Sequence, residues 1–378
     1  MRLIVPIAAL LLAALSVALD LHPVPANSPL CRYGACRFDQ MYAAIDAAGA
    51  TPEAVEALVN ADPSNPMVWC AYAETLAGRG DTRKAEASFD RALLLGPSMP
   101  PVLMRYANYD FTHDRLSHAL PLAARILDST PAFDEILFSY LQRSGATIPE
   151  LLAAAIPDSA RPARAWLDWL GSSGSAQDLI ETWTWMQPRG LLDGPSADRV
   201  AWALCNRGAY RDAYRLWSGW AGVQTALADP RFEKAPGGGP FDWKLEPSPA
   251  VSIDRSDGLE IRFAGTENVA FSGVRQVTCV PPGRYRFSAE IAAEGLTTDQ
   301  RPFFRLIDPA DPRRLDAKTA AIAGSTPRST VSVDFTVPES TQTLQLQLER
   351  RPSELFDNRV AGSLHLYRVS LDPLPAAR

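Results

Sequence analysis

The sequence predicts a multidomain chain in which an α-helical repeat half, an α-solenoid, precedes an all-β half folded as an antiparallel jelly-roll sandwich. In the first half, apolar residues recur at three- and four-residue steps, and the same residue types return 34 residues later. After the Pro- and Gly-rich run 235–240, apolar residues occupy every second position instead. A length of 378 residues exceeds what one hydrophobic core supports and predicts two or three domains.

The charge balance argues against nucleic acid as a partner. The chain has 37 Lys and Arg against 43 Asp and Glu, a net charge of −6. Binding to nucleic acid or to an anionic lipid surface needs a positive field, which this composition does not supply.

Residues 1–19 are predicted to be a signal peptide or a membrane anchor. A small and aliphatic run extends from Leu3 to Leu19 after a single Arg2. Its length lies between that of a signal-peptide core and that of a full bilayer span, so cleavage and retention both remain open. We therefore expect an exported protein, either periplasmic or anchored in the inner membrane and facing the periplasm.

A linker, 20–38, is predicted to follow. Within it, Cys31 and Cys36 enclose four residues, and we expect them to form a small disulfide loop in an oxidising compartment. The other cysteines lie in apolar patterns and are expected to be small buried side chains: Cys70, Cys205 and Cys279. Because no cysteine and histidine cluster has zinc spacing, we expect no metal site and no cofactor.

The stretch 69–97 predicts a helix hairpin. Trp69 and Tyr72 lie on one face of its first helix, a break follows at 78–81, and Pro97 stops the second helix. Positions 69, 72, 73, 85 and 97 are matched 34 residues later by Leu103, Tyr106, Ala107, Ala119 and Pro131. An ordinary helical bundle does not explain a constant offset.

This spacing and these residue types resemble the tetratricopeptide repeat, a 34-residue helix-turn-helix unit. A third copy fits from about Gly194, and 134–193 are interpreted as two degenerate copies. A partial copy is predicted to start near Asp39, so that the helical repeat domain extends over 39–230. The tryptophans that crowd its later helices are expected mainly to pack one repeat against the next.

The resemblance implies stacked hairpins with a concave surface that binds a peptide or protein partner. The groove-facing positions, carried over residue by residue, are Glu74, Asn108 and Trp202 at one level and Cys70, Met104 and Asp198 at another. The carboxylate clamp known in this family needs Lys and Asn at such positions. Since only Asn108 is present, the sequence does not predict that particular ligand.

Residues 231–378 are predicted to form the sandwich. The stretches RFEKAPGGGPFDWKL, PGRYRFSAEI, VDFTVP and GSLHLYRVSL resemble the jelly-roll or galactose-binding-like domains found as carbohydrate-binding modules. The closing motif often carries acidic residues where this chain has His365 and Tyr367, so no calcium site is expected to be inherited.

The resemblance implies glycan binding, for which aromatic rings stack on a sugar and polar side chains pair with its hydroxyls. The candidates are Trp243, Arg284, Arg286, Gln345, Gln347 and Tyr367. The alternative is a solvated sheet face or one covered by the repeat domain. For Trp243 the alternative is a core side chain at a strand edge.

The leading functional hypothesis is a non-enzymatic scaffold of the bacterial cell envelope, with a protein partner in the repeat groove and a sandwich that binds polysaccharide or serves as a spacer. A role in surface polysaccharide assembly or export rests only on the pairing of the two modules. The alternative is a carbohydrate-active enzyme with its site on the sandwich, which requires two carboxyl groups across a cleft. A purely structural assembly factor is a third hypothesis.

Overall fold

The computed structural model describes residues 51–375. The expected signal or anchor segment 1–19, the linker 20–38 with its cysteines, and the predicted repeat start at Asp39 lie outside the described residues. The chain divides into two compact units, one ending at Ala146 and one beginning at Thr147. Each unit is described by itself.

The first unit is helical throughout its described part. Its helices are α1 (Pro52–Ala61), α2 (Pro66–Gly78), α3 (Thr82–Leu95), α4 (Pro100–Thr112), α5 (Leu116–Ser129) and α6 (Asp134–Arg143). The hairpin α2–α3 and the hairpin α4–α5 begin 34 residues apart at both of their helices, which confirms the predicted tetratricopeptide-like repeat.

Local chemistry explains where these helices start and stop. The side chain of Asn65 accepts a hydrogen bond from the backbone N–H of Met67 and so caps α2, whose first residue is a proline. Asp81 caps α3 by accepting from the N–H of Lys84. Between the two helices, Gly80 adopts a φ of +80°, a conformation that a residue with a Cβ rarely takes.

The core of the first unit joins one hairpin to the next. The buried rings of Phe89 on α3 and Tyr106 on α4 stack with centroids 4.8 Å apart. Ala73 and Ala85 are completely buried where α2 and α3 pack together. These are the large and small residues that recur in the sequence pattern.

The second unit begins with more helices: α7 (Ile148–Ala154), α8 (Ala160–Ser173), α9 (Ala176–Met186), α10 (Gly194–Asn206) and α11 (Tyr210–Ala221). The helices α8 and α9 confirm the predicted second degenerate hairpin, and α10 with α11 confirms the third copy. Trp166 and Trp183 are completely buried, as expected of packing residues. Among the helices of 51–375, none combines the length and the apolar character needed to cross a bilayer.

The same unit contains an antiparallel sandwich of two five-stranded sheets, ordered β1-β4-β9-β6-β7 and β2-β3-β10-β5-β8. The strands are β1 (Lys244–Leu245), β2 (Val251–Asp254), β3 (Leu259–Ala264), β4 (Phe271–Thr278), β5 (Gly283–Glu294), β6 (Phe303–Ile307), β7 (Asp316–Lys318), β8 (Thr326–Val337), β9 (Leu344–Arg350) and β10 (Ala361–Pro373).

The inward side chains of the two sheets meet in one core. Phe287 on β5 and Phe304 on β6 belong to different sheets, and their ring centroids are 5.1 Å apart. The predicted change from helical to two-residue periodicity therefore corresponds to a real change from helices to sheets.

Candidate functional site

The predicted groove residues of the last hairpin hold a segment of the chain itself. Trp202 and Asp198 lie one turn apart on α10. The indole N–H of Trp202 donates to the carbonyl of Gly238 at 2.8 Å, and the N–H of Gly238 donates to a carboxylate oxygen of Asp198 at 3.1 Å. Both backbone polar groups of one glycine are thus bonded to this helix face. We call residues 235–240 the glycine segment.

We call the pair Asp198 and Trp202 the clamp. Two further hydrogen bonds hold the clamp and the glycine segment in position. The indole N–H of Trp217 donates to the other carboxylate oxygen of Asp198 at 2.9 Å, which orients that carboxylate toward the segment. The ammonium of Lys244 donates to the carbonyl of Gly239 at 3.0 Å. A Cβ at Gly239 would lie 2.6 Å from both the Asp198 carboxylate and the Trp217 indole nitrogen. Glycine is therefore required for this close approach.

Two of the candidate groove residues of the first unit, Glu74 and Asn108, are exposed. Glu74 is exposed, and its carboxylate accepts from Nε of Arg105 at 2.6 Å, an ion pair that joins α2 to α4. On α4, Met104 is half-buried and Asn108 is exposed one turn further on. These two residues occupy the positions at which Asp198 and Trp202 bind the glycine segment in the last hairpin.

Cys70 is not a groove residue, which corrects the expectation for that position. Its side chain is completely buried, and burial raises the pKa of its thiol to about 12. A cysteine side chain is small and apolar, so its burial in the helix interface is more favourable than its exposure to water.

The structure does not bring the glycan candidates together. Arg284 and Arg286 lie on β5 and Tyr367 on β10, all in one sheet, whereas Gln345 and Gln347 lie on β9 of the other sheet. Their side chains point outward from opposite faces of the sandwich. These five side chains therefore do not form one polar face, contrary to expectation.

Several of these candidates already have partners. Arg286 forms two hydrogen bonds with Asp334, at 2.6 and 2.8 Å, and these bonds lower the pKa of that carboxyl. Gln347 is buried and lies between its hydrogen-bond partners Gln345 and Glu349. Arg284 remains exposed.

Trp243 is a core side chain and not an exposed stacking platform. Only 5% of its surface is exposed. Its indole N–H donates to the carbonyl of Ala228 at 2.9 Å, and its ring contacts that of Phe232 with centroids 4.8 Å apart. Of the two alternatives for Trp243, the core position is the observed one and the exposed glycan-binding ring is not, because the chain before β1 supplies a partner for both its polar and its apolar parts.

Tyr367 is the candidate with an accessible ring. It is half-buried, stacks on His365 with centroids 4.2 Å apart, and lies under the guanidinium of Arg328 at 4.1 Å. His365 and Tyr367 line a shallow hollow of about 470 Å³ on the outer face of β3, β10 and β5. This hollow is the part of the sheet surface that best retains the predicted glycan-binding chemistry.

Two of the carboxylates on the sheet faces, Glu290 and Asp316, form ion pairs. Glu290 accepts from Arg328 at 2.6 Å, and this hydrogen bond lowers the pKa of the carboxyl. Asp316 is similarly paired with Arg305, with the same effect on its pKa. A general acid for glycoside hydrolysis needs a raised pKa. These pairs therefore do not favour a hydrolytic site at these positions.

Sequence reasoning missed a cavity of about 410 Å³ between α11, the glycine segment and the start of the sandwich. Its walls include Trp217, Trp220 and Trp243 together with the carboxylates of Asp229 and Asp242. Burial raises the pKa of Asp242, and the nearby Asp198 carboxylate adds to this effect. The one signal available in the sequence was the density of tryptophans around 217–243.

No protein-family model matches this sequence, and no curated protein matches it by sequence. Among solved structures, YrrB, described as a TPR protein with an unusual peptide-binding site, is 12% identical over 46% of this chain and 94% of its own, with a TM-score of 0.26. MamA from Desulfovibrio magneticus RS-1 is 13% identical over 49% of this chain and 92% of its own, with a TM-score of 0.23. TmCBM61, solved with β-1,4-galactotriose, is 12% identical over 40% of this chain and 100% of its own, with a TM-score of 0.28.

Proposed function

We propose that this protein is a non-enzymatic scaffold of the cell envelope, whose helical repeat binds an extended peptide segment of a partner protein and whose C-terminal unit binds glycan. The observation that carries the proposal is the clamp of Asp198 and Trp202 on Gly238. A helix face that bonds both the N–H and the carbonyl of one residue recognises peptide backbone.

The first unit has the corresponding positions on α4. Met104 and Asn108 stand at the equivalent positions of α4, and the side-chain amide of Asn108 has a donor and an acceptor for a peptide group. Met104 supplies an adaptable apolar contact beside it. An extended segment of a partner is the ligand that suits this pair.

The envelope location rests on the apolar run of residues 1–19 and on the expected disulfide of the linker. Glycan binding rests on the resemblance of the second half to carbohydrate-binding modules and on the aromatic and polar side chains that its surface hollow and its cavity present. A role in surface polysaccharide assembly or export would unite the two activities.

The protein-binding part is tested by affinity capture from native envelope extracts with three forms of the full-length protein. Met104→Glu places a charge at the apolar contact of α4, and Lys84→Glu places one on exposed α3 as the matched control. We expect a partner, identified by mass spectrometry, that the wild type and Lys84→Glu retain and Met104→Glu loses. Equal recovery by all three forms would show that this face is not the docking surface.

The glycan-binding part is tested with a glycan array and a hydrolysis assay on the same full-length protein. Binding without release of products supports the proposal. Release of reducing ends would instead favour the carbohydrate-active enzyme, and binding of no glycan would leave the sandwich with a structural role.

A further inference from the structure

We propose that the cavity between α11, the glycine segment and the start of the sandwich binds one neutral sugar residue of a glycan. This inference rests on the glycan-binding part of the proposed function and places the site away from the sheet faces. The cavity has a volume of about 410 Å³, within the range of about 300 to 1,000 Å³ common for small-molecule sites.

The walls of the cavity are aromatic. Trp217, Trp243 and Phe232 are nearly buried and give it a rigid base, while Trp220 of α11 is half-buried and keeps part of its ring accessible. An accessible indole beside a rigid apolar floor is a surface on which the apolar face of a pyranose stacks. On the sheet faces, the candidate ring is that of Tyr367, which is already in contact with His365 and the guanidinium of Arg328.

The polar groups of the cavity decide the class of ligand. Asp198, Asp229 and Asp242 supply acceptors, and Lys234 and Arg255 supply donors. A sugar hydroxyl both donates and accepts, so it suits a lining of mixed charge. With three carboxylates against two basic groups, the lining disfavours an anionic ligand, while an uncharged hydroxylated ligand can pair with both kinds of group.

The polar groups are held in place before any ligand binds. Asp229 accepts from the N–H groups of Glu233 and Lys234, both at 2.9 Å, and Asp242 accepts from that of Gly239 at 2.9 Å. Since a carboxylate accepts up to about four hydrogen bonds, these contacts orient the acids and leave acceptor positions for hydroxyl groups. Preorganised groups of this kind lower the cost of ordering on binding.

The test is binding of the full-length protein to an array of neutral oligosaccharides, with matched oligosaccharides that contain uronic acids or amino sugars. Three variants are compared with the wild type: Trp220→Ala and Lys234→Met in the cavity, and Tyr367→Ala on the sheet face. Loss of a stacking ring worth up to about 1.5 kcal/mol corresponds to about tenfold weaker binding. Melting temperatures establish that each variant is folded, and Lys234→Met remains informative if Trp220→Ala is not.

We expect the wild type and Tyr367→Ala to bind neutral probes alike, with quenching of tryptophan fluorescence, and the two cavity variants to bind about tenfold more weakly. Loss of binding in Tyr367→Ala alone would overturn the inference and leave the glycan-binding proposal standing. Preference for acidic or amino probes would overturn the assigned class. Binding of no probe by the wild type would overturn both the inference and the glycan-binding proposal.

Discussion

Trp202 donates its indole N–H to the backbone carbonyl of Gly238 at 2.8 Å, across 36 residues of chain. Asp198, one turn earlier on the same helix, accepts the N–H of that same glycine. In the last hairpin, the predicted groove face is therefore filled by the chain's own glycine segment. These two bonds hold the Gly-rich run against α10, and the proposal that the equivalent face of the first unit binds peptide backbone is based on them.

Removing the two side-chain bonds is expected to release the glycine segment. The double variant Trp202→Phe with Asp198→Ala keeps an aromatic ring but removes the donor to the Gly238 carbonyl and the acceptor of its N–H. We expect amide hydrogen exchange within 235–240 to accelerate by at least about tenfold, because each net bond is worth about 1 kcal/mol. Exchange as slow as in the wild type would mean that the clamp does not hold the segment.

A methyl group at Gly239 is expected to destabilise the second unit. The Cβ of Gly239→Ala would lie 2.6 Å from the Asp198 carboxylate, so the segment or the side chains around it must shift. We expect a loss of about 1 to 3 kcal/mol in the free energy of unfolding, measured in urea. The control is Gly219→Ala on α11, where a Cβ meets no atom within 4 Å, and it is expected to be neutral or stabilising by up to about 1 kcal/mol. Equal effects of the two substitutions would contradict the close approach.

The arginine at the centre of an ion-pair group is expected to contribute to acid sensitivity. Arg305 bonds Asp316 at 2.8 Å and Glu349 at 3.0 Å. Its hydrogen bond lowers the pKa of Asp316. For Glu349 burial acts to raise the pKa, but the bonds from Arg351, Arg305 and Gln347 outweigh it and lower the pKa. Acids with depressed pKa values stabilise the fold above their unfolded pKa of about 4, and that stability is lost as the pH falls through their folded pKa.

The variant Arg305→Met is therefore expected to be less stable by about 2 kcal/mol at pH 7 and to lose less stability than the wild type between pH 5 and pH 2. The free energy of unfolding across this pH series measures both effects. Arg262→Met breaks the exposed pair with Glu260 and serves as the control, with an expected change within about 0.5 kcal/mol. If the stability of Arg305→Met depended on pH as that of the wild type does, the ion pairs of Arg305 would not be the source of the acid sensitivity.

Thiol labelling is expected to distinguish the described cysteines from those of the linker. Burial raises the thiol pKa of Cys70 and Cys279 to about 12 and that of Cys205 to about 11, so all three should react slowly with an aromatic disulfide reagent in the folded protein. If Cys31 and Cys36 are paired, three thiols react after denaturation and all five after denaturation with reduction. Two rapidly reacting thiols in the folded protein would contradict the expected disulfide.

The periodic parts of the fold were predictable from the sequence. The 34-residue offset between positions 69 and 103 predicted the spacing of the first two hairpins, because each hairpin repeats the same local packing of large and small residues. Two-residue alternation likewise predicted strands of the sandwich. These features depend on neighbours close in the chain, which is why a pattern in one sequence reveals them.

The site was predicted less well, because it depends on pairings distant in the chain. Alternation places Arg286 and Gln347 on outward faces but does not state that β5 and β9 belong to different sheets. For Trp243 the sequence left an exposed ring and a core position both open, because nothing in PFDW indicates that Phe232 and the carbonyl of Ala228 meet its ring. The glycine segment was recognised in the sequence only as the point where the periodicity changes, since its contact with Trp202 is a tertiary one.

The most direct test of the central claim is photo-crosslinking from the open face of the first unit. A photoreactive phenylalanine analogue replaces Asn108 on α4 in the full-length protein, and in a second protein it replaces exposed Lys84 on α3. We predict that position 108 crosslinks in native envelopes to one protein partner through an extended segment of that partner, and that position 84 does not. Equal crosslinking from both positions, or none from position 108, would contradict the account.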